Sequence, residues 1–149
     1  MGYTHYWEVK DQTVWAQIWP QLISDANQVI EQANIELAQD EFHRDRATVE
    51  EEIMINGAIG HEPFMLSKAG PNSKGFAFCK TARKPYDLVV ATILMRAKML
   101  AGSKAFQLSS DGYWDDDEDS WAPAKKLYVK LWPDDLVPTS KILEDEDEV

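Results

Sequence analysis

The stretch from Leu88 to Leu100 constrains the fold more than any other part of the chain. Its apolar residues, Leu88, Val89, Val90, Ile93, Leu94, Met95, Met99 and Leu100, fall on nearly every side of a helix rather than on one stripe. A helix of that kind must be covered all round by other elements. The pattern predicts a central helix that begins at Pro85, because proline is tolerated in a first helical turn. Gly102 is its natural stop, close after Lys98. The run is too short to cross a bilayer, and Arg96 and Lys98 interrupt it.

The rest of the chain supplies the cover. Tyr3 to Trp7 is aromatic and β-branched, which favours a strand. Asp11 or Thr13 caps a helix in which Trp15, Ile18, Trp19, Leu22, Ala26, Val29, Ile30 and Ala33 line one face. Pro20 either kinks that helix or starts a second one. Residues 39–51 are highly charged and read as a loop. Ile53–Ile55 and Pro63–Leu66 read as short strands of an antiparallel hairpin, with Asn56-Gly57 and Ile59-Gly60 as turn residues between them. Phe76–Cys79 is a brief extended piece, and Ala105–Ser109 alternates as a strand does. Ser120 caps a third helix with Trp121, Ala124, Leu127, Tyr128 and Leu131 inward and Pro123 in its first turn. Few connections read as β-helix-β crossovers. The expected class is α+β, a small, mostly antiparallel sheet with about three helices packed on one face.

A chain of 149 residues suits a single domain. That length buries roughly 68–70% of the unfolded surface, so the core needs no staples. Residues 1–138 are expected to form the domain, with 139–149 a flexible acidic tail. Cys79 is the single cysteine, which excludes an internal disulfide and points to a reducing compartment. No secretory signal pattern is visible. The expectation is a cytoplasmic protein with no membrane association.

The formal net charge of -11 is concentrated in two places. Asp115, Asp116, Asp117, Glu118 and Asp119 form one acidic run, and residues 144–148 form another of five. Removing those ten from 26 acids leaves 16 against 15 bases, so the body of the domain is near neutral. Runs of like charge are usually solvated. No clustered basic footprint exists, which argues against direct binding of DNA or RNA.

The residues ahead of the central helix carry the chemistry. Lys80, Arg83 and Lys84 gather where a helix start offers unpaired N–H groups and the positive end of its dipole. Cations there are unfavourable by about 0.3–1 kcal/mol each, so three of them ask for an anion. A phosphate, carboxylate or nucleotide could answer, with Arg83 binding bidentately, Thr81 donating a hydroxyl and Tyr86 stacking on a base. Asp87, Glu62 or other acids of the chain could answer instead.

Other constellations are weaker. Cys79 sits near these cations, but Pro85 stands where the Cys-x5-Arg phosphatase loop needs arginine. A small buried apolar group is the plainer reading of that cysteine. The 115–119 run could hold calcium or magnesium, yet EF-hand spacing is missing. His5, His43 and His61 are scattered and form no metal-ligand pair. Trp15, Trp19, Trp121 and Trp132 read as core, whereas Trp114, flanked by acids, reads as exposed. No metal, cofactor or catalytic residue is assigned.

Three segments carry a likeness: Gly2-Tyr3-Thr4-His5-Tyr6-Trp7, Phe78-Cys79-Lys80-Thr81-Ala82-Arg83-Lys84-Pro85-Tyr86-Asp87, and Ser109-Ser110-Asp111-Gly112. On these the chain resembles a family of small uncharacterised proteins from bacteria and their phages. The resemblance implies a bacterial or phage setting and no activity. The sequence thus points to a binding domain for a small anion, phosphate or nucleotide, at Lys80, Thr81, Arg83, Lys84 and Tyr86. The alternative is an acidic interaction or inhibitor protein, imitating nucleic acid, that meets a basic partner through the 115–119 run.

Overall fold

In a computed structural model, residues 3–35, 48–49, 52–55, 64–68, 76–82, 84–111, 121–139 and 143 are described. The chain runs β1 (Thr4–Val9), α1 (Gln12–Ala33), β2 (Thr48–Val49), β3 (Glu52–Ile55), β4 (Phe64–Ser67), β5 (Phe76–Lys80), α2 (Asp87–Ala101), β6 (Phe106–Ser110) and α3 (Ala122–Leu131). This is the expected α+β arrangement, but its strands divide into two sheets. One has the order β5-β1-β6 and the other β2-β3-β4, with every pairing antiparallel. The first strand of the chain is therefore a central strand. Thr48–Val49 falls inside the segment read as a loop, and pairs as β2 with Ile53 and Glu52.

Strand alternation sets the inner face of the first sheet. His5, Trp7 and Val9 are buried on β1, while Tyr6 and Glu8 on the other parity are half-buried. Phe106 and Leu108 of β6 and Cys79 of β5 are buried as well, and with Trp7 and Val9 they join the main core. Beside them lie Trp15, Trp19, Leu22, Ala26 and Val29 of α1. Asp11 is the cap of α1, its carboxylate accepting from the Val14 amide at 3.1 Å. The helix runs through Pro20 without a break and ends at Asn34, which takes a left-handed φ of 52°. Trp15 stacks on Phe106 with centroids 5.2 Å apart, and its indole N–H donates to the Ser67 carbonyl, tying the two sheets together.

Helix α2 is the centre that its composition demands. Every residue from Val89 to Lys98 is buried. It begins at Asp87, two positions after the expected Pro85, because Pro85 and Tyr86 complete a turn first. Burying Arg96 in such a helix requires partners. Its guanidinium donates to Asp25 on α1 at 2.7 Å, to the Tyr128 hydroxyl on α3 at 2.8 Å and to Asp135 at 2.7 Å. It also lies 4.2 Å from the centre of the Trp132 ring. Burial works against the Arg96 charge, but the bonds to Asp25, Asp135 and Tyr128 outweigh it and raise the pKa above its ordinary value. Lys98 donates to the Phe106 carbonyl at 2.9 Å, joining α2 to β6. Trp121 takes the cap position of α3 with no side-chain cap bond, and Ser120, the expected cap, lies outside the described residues. So does most of the 139–149 tail. Among the described residues, no helix is long and apolar enough to cross a membrane.

Candidate functional site

Pairing in the first sheet lines up three side chains from distant parts of the chain. His5 stands opposite Cys79 on β5 and opposite Ser110 on β6. Directly opposed residues share a face of a sheet, so Cys79, His5 and Ser110 form one row on the inner side. His5 and Cys79 are fully buried, whereas Ser110, at the end of β6, is partly exposed.

The turn between β5 and α2 brings the fourth group. The amides of Thr81 and Ala82 both donate to the Tyr3 carbonyl, at 3.1 and 3.2 Å. Ala82 takes a left-handed φ of 52°, a conformation that non-glycine residues adopt at some cost. Lys84 then donates to the Thr81 carbonyl and Asp87 to the Lys84 carbonyl. The chain folds back sharply, and Asp87, the first residue of α2, arrives over the end of β1. Its Oδ1 lies 2.7 Å from His5 Nε2, and the Thr81 hydroxyl donates to the same oxygen at 2.7 Å. On the other side of the ring, His5 Nδ1 lies 2.7 Å from Ser110 Oγ. Tyr3 and Trp121 flank the imidazole, with ring centroids 5.2 and 5.0 Å away. A second anchor closes the strand end: the Asp111 amide donates to the Thr4 carbonyl, and the Thr4 amide donates to the Asp111 carboxylate.

The donor pattern at the start of α2 differs from the sequence expectation. The amides of Asp87, Leu88 and Val89 donate to the carbonyls of Lys84, Pro85 and Tyr86. The N–H groups that a helix start ordinarily leaves open are taken up by the turn itself.

Of the five sequence candidates, four lie among the described residues, and these differ in burial and facing. Lys80 ends β5 opposite Thr4, on the strand parity of the exposed Phe78 and not on that of Cys79 and His5. Thr81 is fully buried and directs its hydroxyl to Asp87. Lys84 is half-buried in the turn. Tyr86 is fully buried within the core, which leaves no ring face open to solvent. Arg83 lies outside the described residues, as do Glu62, His43, His61, Trp114 and the acidic residues 115–119. Among the described residues, no group of three or more His, Cys, Asp or Glu side chains could hold a metal ion.

His5, Asp87 and Ser110 were not singled out as a set by sequence reasoning. A signal for two of them was present. On β1, His5 shares the parity of Trp7 and Val9, and on β6, Ser110 shares that of Phe106 and Leu108. A polar residue on the apolar parity of a strand marks a buried polar site. Residues from three distant stretches meet here: β1, the end of β5 with the start of α2, and the end of β6. Comparison with protein-family profiles, with curated proteins and with solved structures gives no match for this chain.

Proposed function

We propose that the protein is a binding domain for a small anionic ligand, phosphate or the phosphate of a nucleotide, held at the turn that leads into α2. Arg83 and Lys84 are the primary cationic contacts, and Lys80 contributes charge from the edge of the sheet. Thr81 and Tyr86 belong to this site as its buried support. One observation carries the reading: the acid next to these cations in sequence is already committed. Asp87 accepts from Thr81 and bonds His5, and among the described residues it forms no ion pair with Lys80 or Lys84. Lys84 is thus not neutralised by the carboxylate that follows it in the chain. Arginine on a turn binds a phosphate through two parallel N–H bonds, and lysine adds a point charge.

Ligand that binds only the folded state stabilises it by about 2.7 kcal/mol at a concentration of one hundred times Kd. Thermal melting with inorganic phosphate and a panel of nucleoside mono-, di- and triphosphates should therefore show a rise in Tm for at least one compound. Arg83→Glu should remove that rise. A flat response across the panel rejects the reading.

A further inference from the structure

We infer that Ser110 is a nucleophile, with His5 as its base and Asp87 as the residue that orients that base. The inference stands on the geometry of the row and does not depend on the anion reading. Ser110 Oγ, His5 Nδ1, His5 Nε2 and Asp87 Oδ1 form a continuous chain with 2.7 Å at each hydrogen bond. Proton positions follow from chemistry. A carboxylate can only accept, so Asp87 requires the proton of the neutral imidazole on Nε2. That leaves the lone pair of Nδ1 facing Ser110, whose hydroxyl then donates to it. This is the tautomer in which a histidine can take a serine proton.

Second contacts fix each member. Thr81 donates to the Asp87 oxygen that His5 uses, and holds that carboxylate in place. The rings of Tyr3 and Trp121 fix the imidazole plane from the sides. Exposure has the order that a reactive site needs: His5 is closed off at 0%, the Asp87 side chain is 19% exposed, and Ser110 is partly open. A reagent from solvent can meet the serine. Ser110 and His5 touch the reacting atoms, and Asp87 and Thr81 are positioning residues.

The chemistry that fits is acyl transfer from a small activated ester to water. Ser110 Oγ attacks the carbonyl carbon as its proton passes to His5 Nδ1, and the carbonyl π pair moves onto oxygen. When that pair returns, the bond to the leaving alkoxide breaks and the alkoxide takes the proton from His5. Water, deprotonated by the same nitrogen, attacks the acyl-serine. Collapse releases the carboxylic acid and returns the proton to Ser110.

The test uses the full chain and an uncharged fluorophosphonate probe, which phosphonylates an activated serine and is indifferent to the cations of the turn. Intact mass should show one adduct, and peptide sequencing should place it on Ser110. Ser110→Ala should abolish labelling. His5→Gln should slow it at least 100-fold, the lower range for loss of a general base, with far-UV circular dichroism unchanged. Should His5→Gln fail to fold, Asp87→Asn takes its place and should also slow labelling. Absence of an adduct on the folded protein, an adduct on another residue, or labelling of Ser110 at an unchanged rate in the folded variant each overturns the inference. Failure of the phosphate melts leaves this result untouched, so the two ideas fall separately.

Discussion

Helix α2 carries a polar cluster at its start and another in its C-terminal half, and the two are built for different ends. Around Arg96, each partner reaches inward: Asp25 from α1, Tyr128 from α3 and Asp135 from the segment after it. The Arg96 and Asp25 side chains are both buried, and Gln21 donates to the second Asp25 oxygen at 2.9 Å. The three Arg96 bonds join α2 to other parts of the chain. Around His5 the bonds also join elements, since they tie β1 to β6 and to α2. That chain, however, includes Ser110, a residue at partial exposure. The Arg96 cluster is buried around its pair with Asp25 and opens only at Asp135, a carboxylate, whereas the His5 cluster reaches Ser110, the serine proposed as a nucleophile.

Substitutions can break this contrast. The largest effect is expected from Asp25→Ala, which strands a buried guanidinium. Removing one partner of a buried ion pair costs about 3–5 kcal/mol. For a domain of this size that lowers Tm by on the order of 10 °C. The Asp25→Ala, Arg96→Met double variant should recover much of the loss, because no buried charge then lacks a partner. A thermal melt of the three proteins checks both statements.

His5→Phe should cost less, about 1–2 kcal/mol, because Asp87 and Ser110 are partly exposed and water can satisfy what the imidazole leaves behind. Urea unfolding measures it. A loss as large as that of Asp25→Ala would show that the His5 cluster is as closed as the Arg96 cluster and would remove the distinction between them.

The smallest effect lies at high pH. Burial pushes the Tyr128 phenol above its usual value of 10.0, and the neighbouring Arg96 offsets part of that rise. The folded state therefore favours the neutral phenol. This contribution to stability is complete below the unfolded pKa near 10 and is lost as pH rises through the higher folded value. Absorbance at 295 nm should show a late-titrating contribution from Tyr128, and Tyr128→Phe should remove that contribution. A single transition near pH 10 in the folded protein would mean that the Arg96 cluster admits water.

Much of the architecture was legible because it follows from periodicity. The all-round apolar pattern of Leu88–Leu100 required a central helix, and α2 is buried from Val89 to Lys98. The stripe of Trp15, Trp19 and Leu22 marked the inner face of α1. Pro20 was ambiguous in sequence, since a proline removes one helical bond whether or not the helix continues; packing of both flanks against one core carries α1 through it. Thr48–Val49 was lost in a charged stretch, because a two-residue strand has no period to detect.

The candidate site divides along the same line. Local sequence placed three cations beside a helix start, since charge and proline can be read residue by residue. Which donors remain open there is a matter of backbone course, and the turn from Thr81 to Tyr86 uses those amides for its own carbonyls. The sequence by itself determined that a central helix must exist close after Pro85, and that the excess of acid is concentrated in two runs. Only tertiary structure decided that Asp87, His5 and Ser110 form one chain. His5 lies 82 residues from Asp87 and 105 from Ser110, and strand register, which no local pattern encodes, sets those side chains face to face.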